Sequence, residues 1–330
     1  MPRHTLSVIA IIVTSTAAFN FPARAQQPVP TSAPAQPKPE PIPLPQGVRR
    51  VENIAYRPGA GPLQSLDLYL PDKPDALPST IAQGERLPLV VWVHTGNWKQ
   101  GDKANCPAAP WAARGFVVAS VNYRLSPGAT LLDMVHDLKS AVRFLKSDAA
   151  KYSIDPDRIG IWGVSAGAHL AALAATTSDV PVFDAPEHAT SPLHVQACCA
   201  WFGPMDLSAF KPGEKLTADI DAALAGPAGS TPEREPVARK YSPLTYVSKD
   251  DPAFLFLHGD KNDTVPKQQT EAMAISLKSA GVDVTAHLIP DQGHGFRPKS
   301  EHDKYVATTE SWFANKLKLS TPKVPPAAPK

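Results

Sequence analysis

The pentapeptide Gly163-Val164-Ser165-Ala166-Gly167 is the densest chemical signal in the chain. It follows the apolar, β-branched run RIGIW and precedes AHLAALAA, whose composition is helical. A serine between a strand and a helix is forced onto a sharp turn. Gly163 and Gly167 remove side chains that would collide there. The hydroxyl then stands at a helix N-terminus, where partial positive charge favours a developing oxyanion. This predicts a nucleophile at Ser165, with the amide of Ala166 as one of two oxyanion donors.

A serine hydroxyl needs a base, and the base needs an orienting group. With ten histidines in the chain, position has to decide. His294 lies between Gly293 and Gly295, just after the late apolar run VTAHLIP. FLFLHGDKNDTVP places Asp260 and Asp263 in a loop after another apolar run. The order nucleophile, acid, histidine is the one a strand-turn-helix serine uses. Asp263 is read as the acid because Val265-Pro266 follows it, and Asp260 as a turn residue of the same loop. The second oxyanion donor is expected from His94-Thr95-Gly96-Asn97-Trp98, after the strand PLVVWV, at Thr95 or Gly96. Losing one such donor costs roughly 10²–10³ in rate.

These groups need a scaffold that brings distant loops to one edge. VENIAYR and SLDLYL read as an early pair of strands. PLVVWVH, FVVASVNY, RIGIWGV, VQACCAWF, AFLFLHG and VTAHLIP follow as buried strands. A helix ends at Trp111 to Arg114, with Gly115 as its cap. Leu132, Val135, Leu138, Val142 and Leu145 repeat at helical spacing within Leu131 to Lys146, and a last helix runs from about Asp303 to Leu317. Strands separated by single helices imply an α/β fold with a mostly parallel central sheet flanked by helices. Lys211 to Arg239, rich in Gly, Pro, Ala and charge, breaks the rhythm and is too long for an ordinary loop. It reads as a small cap insertion over the carboxyl edge of the sheet.

Composition narrows the function classes. A formal net charge of +2 gives no single-sign field, which argues against nucleic acid and anionic membrane surfaces as partners. Arg3 and His4 precede an apolar run from Leu6 to about Ala18, and Ala23-Arg24-Ala25 suits cleavage before Gln26. Residues 1–25 therefore read as a signal peptide, and the mature chain is expected in the periplasm or the medium. The apolar run is shorter than the ~20 residues a membrane span needs, so no stable insertion is expected after cleavage. Residues 26–46 read as a Pro-rich linker, 47–319 as one catalytic domain, and 320–330 as a disordered tail. Cys106, Cys198 and Cys199 lack metal-ligand spacing, so no zinc site is expected. Cys198 and Cys199 read as small core residues.

Taken together, the motifs resemble the bacterial esterase/lipase group of α/β-hydrolases that includes feruloyl-esterase-like, acetyl-esterase and arylformamidase-like enzymes. LDLYLP opens the match. HTGNW resembles the family's HGGxW, in which His94 and Trp98 support the oxyanion loop. IDPDRIGIWGVSAGAHLA resembles its nucleophile block, and GHGF supplies the histidine. HGDKNDTVP resembles HGxxDxxVP, whose second Asp is the triad acid, here Asp263. The resemblance implies the α/β-hydrolase fold with no metal or cofactor, and a Ser165–His294–Asp263 triad with an oxyanion hole at Thr95, Gly96 and Ala166. It also implies an acyl-enzyme mechanism on a small-molecule carboxylic ester with a short or aromatic acyl group. An amide hydrolase of the arylformamidase type and a non-catalytic binding module on the same scaffold are the alternatives. One departure stands out: Thr95 occupies a position where the family has Gly, and a β-branched side chain there restricts the backbone and crowds an approaching carbonyl.

Overall fold

The computed structural model describes residues 43–319, apart from 74–76, 78–80, 82–83, 186–192 and 232. The expected signal peptide and the tail 320–330 lie outside the described residues, as does most of the linker. Among the described residues, no helix is long and apolar enough to cross a membrane. All the described residues fall within one compact unit, Ile42–Lys330.

Eight strands form one sheet: β1 (Val48–Ala55), β2 (Ser65–Pro71), β3 (Leu87–Val93), β4 (Val117–Val121), β5 (Ile154–Val164), β6 (Ala197–Trp201), β7 (Ala253–Gly259) and β8 (Val284–Ile289). Their spatial order is β1-β2-β4-β3-β5-β6-β7-β8. β1 with β2 and β2 with β4 pair antiparallel, and every later pair is parallel. The parallel strands are buried on both faces, which is why they read as unbroken apolar runs.

Successive residues of one strand feed two different cores. Leu89, Val91 and Val93 of β3 pack on one face, under α1 (Leu131–Ser147), α2 (Ala166–Thr176) and α5 (Gln268–Ser279). Val90 and Trp92 pack on the other, under α6 (Lys299–Lys316) and a 3-10 turn at Ala109–Arg114. Cys198 and Cys199 divide the same way, and all three cysteines are free thiols. The second face is aromatic. Trp111 stacks on Trp162 at 5.2 Å, and Trp162 in turn packs against Trp92 and Trp201.

The segment before Gly115 forms a six-residue 3-10 turn, with Pro110 in its first turn, where its missing N–H costs no helical hydrogen bond. Helix α5, between β7 and β8, has a weak periodic signal because only Met273, Ala274 and Leu277 of its apolar residues are buried. Within the cap insertion, α3 (Thr217–Ala225) and α4 (Arg234–Lys240) are two short helices. The expected linker reaches further into the fold than its composition suggests. Pro43, Leu44 and Pro45 border a cavity, and the Val48 amide donates to the Pro45 carbonyl at 3.2 Å.

Candidate active site

Ser165 stands between β5 and α2 with φ 54° and ψ −119°, a conformation a side-chain-bearing residue adopts only under constraint. Such strain costs about 1–3 kcal/mol and has to be held by its surroundings. β6 holds it from the side, since the Ser165 amide donates to the Trp201 carbonyl at 2.9 Å. The crossing is too close for side chains: a Cβ on Gly163 would lie 2.1 Å from the Gly167 carbonyl oxygen, and one on Gly167 2.3 Å from that of Val93. The first amides of α2 are left without helical partners by the geometry of any helix start. Ala166 is the first of them.

The loop after β3 supplies the other side. Gly96 has φ 131°, and a Cβ there would sit 1.9 Å from the Gln100 carbonyl oxygen, so only glycine fits. Among the described residues the Gly96 amide has no hydrogen-bond partner, as an oxyanion donor requires. Thr95 is different. It is absent from the residues with positive φ, so its β-branch is accommodated by ordinary backbone, and its exposed side chain lines the cavity. The crowding expected from the sequence therefore falls on the cavity and leaves the backbone undistorted.

Trp98 anchors this loop. Its indole is fully buried, and Nε1 donates to Nδ1 of His169 at 3.3 Å. His169 lies one turn after Ser165 on α2, and its Nε2 donates to the Tyr241 carbonyl at 2.8 Å. A nitrogen facing a carbonyl must carry the proton, so Nδ1 is free to accept. Burial pushes His169 down to about 4, which keeps it neutral near pH 7. His94 also has a positioning role. Its Nδ1 donates to the Thr95 carbonyl at 2.8 Å and its ring stacks on Tyr123.

His294 meets the nucleophile. Its Nε2 lies 2.9 Å from Ser165 Oγ, and its ring packs edge-on against Phe202. Burial holds its pKa below the ordinary imidazole value, against a smaller opposing influence from the Asp263 charge.

The acid assignment is corrected by the structure. Asp263 is exposed, ion-paired with Lys215 of the cap insertion, and makes no hydrogen bond to His294. Asp260 ties its loop to the one after β8, accepting from the Asp291 amide at 2.7 Å. The residue against His294 is Asn262, with Nδ2 at 3.1 Å and Oδ1 at 3.2 Å from the imidazole Nδ1. Asn262 Oδ1 also accepts from the amides of Thr264 and Val265 at 3.1 and 2.9 Å. His258 braces this loop, its Nε2 donating to the Val265 carbonyl at 2.9 Å. The sequence signal was available: counted back from Val265-Pro266, the acid of HGxxDxxVP falls on position 262 and not on 263. His169, His258 and Lys215 carry no comparable sequence signal.

A cavity of about 510 Å³ is lined by chain neighbours of the serine and histidine, although neither Ser165 nor His294 lines it. Thr95, Val164 and Gly295 are among the lining residues, and Trp92, Trp201 and Phe296 supply apolar wall. Among the described residues, no cluster of three or more His, Cys, Asp or Glu side chains is arranged to hold a metal ion.

Comparison with known families follows the same geometry. The BD-FAE family model matches residues 66–277, more than half of the chain. The chain belongs to the BD-FAE family. The match runs from β2 to α5 and so contains the oxyanion loop, Ser165 and Asn262. Esterase LipQ of Mycobacterium tuberculosis is 31% identical over 253 residues, covering 75% of this chain and 57% of the relative. Esterase LipC of the same organism is 28% identical over 72% of this chain and 58% of its own length. This BD-FAE chain thus spans little more than half the length of these curated relatives. Among solved structures, a truncated carbohydrate esterase from gut microbiota superposes with a TM-score of 0.69 at 27% identity, over 82% of this chain and 96% of that one. Esterase B from Lactobacillus rhamnosis, at 21% identity and a TM-score of 0.66, shares the fold over 84% of this chain and 90% of its own. The α/β-hydrolase architecture expected from the sequence is therefore the observed one.

Proposed function

We propose that this BD-FAE chain is a serine-dependent carboxylic ester hydrolase that works through an acyl-enzyme. The observation that carries the reading is the 2.9 Å approach of Ser165 Oγ to His294 Nε2 at a strained elbow. In the reaction, Oγ bonds to the acyl carbon while its proton passes to Nε2. The carbonyl oxygen takes the negative charge, against the amides of Ala166 and Gly96. Collapse of that intermediate breaks the bond to the alcohol, which leaves with the proton from Nε2. Water then repeats the sequence and frees the acid.

The cavity supports a compact acyl group, aliphatic or a single aromatic ring, because its wall is aromatic and its volume is about 510 Å³. The likeness to a carbohydrate esterase supports a sugar as the alcohol. Arg3, the apolar run to Ala18 and Ala23-Arg24-Ala25 support export. Periplasmic and cytoplasmic fractions probed for a product starting at Gln26 test that part.

The test of the reaction is hydrolysis of p-nitrophenyl esters from acetyl to octanoyl, with labelling of Ser165 by an organophosphonate. Ser165→Ala is expected to abolish both label and turnover, and the longer acyl chains to be the poorer substrates. Turnover that survives Ser165→Ala overturns the reading. A folded wild type that neither labels nor turns over any ester favours a binding module on this scaffold, for which the Asn at position 262 is the structural argument.

A further inference from the structure

We propose that Asn262 is a positioning residue that holds resting His294 as the Nε2–H tautomer and so throttles Ser165. The proposal rests on the Ser165–His294 reading above.

The loop itself orients the amide. Oδ1 of Asn262 accepts from two backbone amides, those of Thr264 and Val265, at 3.1 and 2.9 Å. A flipped side chain would set its own NH₂ against both donors, so the flip is excluded by hydrogen bonding. The NH₂ group therefore stands 3.1 Å from His294 Nδ1. It carries hydrogens to donate, and the imidazole can accept only through a bare Nδ1. The ring proton then sits on Nε2 and points at Ser165 Oγ, 2.9 Å away. In that state Nε2 has no lone pair with which to take the serine proton.

Catalysis requires the opposite tautomer. Its Nδ1–H has Oδ1 of Asn262 as acceptor at 3.2 Å, an oxygen that already serves two donors. It also faces no negative charge when the imidazolium forms. A carboxylate at this position would keep both loop hydrogen bonds through one oxygen and receive Nδ1–H on the other. Where an Asp of this kind is replaced by Asn with the geometry kept, kcat falls about 10⁴-fold, because the histidine adopts the wrong tautomer. Position 262 has the geometry of a triad acid and the hydrogen-bonding polarity of an amide.

The reverse substitution tests this. Asn262→Asp is expected to raise kcat for p-nitrophenyl acetate by about 10²–10⁴-fold with little change in KM. A new carboxylate beside the imidazole favours its charged form. The acid limb of the kcat profile, expected in the wild type below the ordinary histidine value because burial lowers His294, then moves to higher pH. Nitrogen-15 NMR of the wild type reads the tautomer directly, with the His294 signals assigned by their loss in His294→Ala. Nε2 is expected to be protonated and Nδ1 bare, and the two are expected to exchange roles in Asn262→Asp. A protonated Nδ1 in the resting wild type overturns the proposal, even if the variant does not fold. So does an Asn262→Asp enzyme that labels with phosphonate yet turns over no faster. Absence of phosphonate label from both proteins, with the expected tautomer present, overturns the esterase reading and leaves the tautomer assignment standing.

Discussion

The nucleophile elbow and the acid loop stand at the same edge of the sheet, 2.9 and 3.1 Å from the two nitrogens of one imidazole, yet they are determined in different ways. The elbow is fixed by the absence of atoms. Gly163, Gly167 and Gly96 each leave a space that a carbonyl oxygen already fills to within 2.4 Å of where a Cβ would be. The acid loop is fixed by an acceptor. Its turn needs one side-chain oxygen for the amides of Thr264 and Val265, and Asn and Asp supply that oxygen equally well. Folding therefore polices the elbow and is indifferent to the one atom of the acid loop on which catalysis turns.

The strongest way to break this comparison is to fill the elbow. Gly167→Ala places a methyl 2.3 Å from the Val93 carbonyl and 2.4 Å from that of His94, and neither can rotate away. A loss of about 5 kcal/mol or more is expected, which leaves little folded protein. Circular dichroism and thermal melting read it. At the acid loop, Asn262→Asp is expected to melt like the wild type, because its hydrogen bonds to the loop are unchanged. A Gly167→Ala protein with wild-type stability would remove the steric half of the argument.

That contrast also explains what was legible in the sequence. Sterically enforced features print themselves as residue types, so the elbow and Gly96 could be read directly. The parallel strands showed as apolar runs because both faces are buried. At the acid loop, residue type and motif spacing point to different positions. Asp263 is a carboxylate one step away, whereas spacing from Val265-Pro266 selects Asn262. Helix α5 was hidden because it buries only a narrow stripe. The Trp98–His169 bridge depends on a contact across 71 residues, which no local pattern encodes.

The two buried histidines that brace these regions give the next, smaller effect. His169 supports the oxyanion loop and His258 the acid loop, and burial pushes each down to about 4 from an ordinary value of 6.5. Below pH 6.5 the unfolded chain gains protons there that the folded chain refuses until near pH 4. Stability is therefore complete above about 6.5 and drains as the pH falls towards 4, by on the order of 3 kcal/mol for each histidine. Urea midpoints measured across this window should fall steadily. They should fall less in His169→Gln, which removes one of the titrating groups. An equal slope in wild type and variant would mean that His169 does not bear the expected share.

The smallest effect is expected at Asp263, and its smallness sharpens the comparison most. The carboxylate is exposed, its partner Lys215 is equally exposed, and neither touches His294. Exposed ion pairs of this kind contribute little to stability, so Asp263→Asn should melt with the wild type. Its charge still reaches the imidazole through space and favours the protonated form. Removing it should move the acid limb of the rate profile slightly to lower pH, and salt should erase that displacement by screening. In Asn262→Asp the displacement runs the other way and should survive salt, because the new carboxylate touches the ring. Turnover by Asp263→Asn should stay within about threefold of the wild type, as expected for an exposed charge. If it instead collapsed by orders of magnitude, Asp263 would have to leave Lys215 and reach His294 during catalysis, and the acid loop would be a moving part where the structure has it held by Asn262.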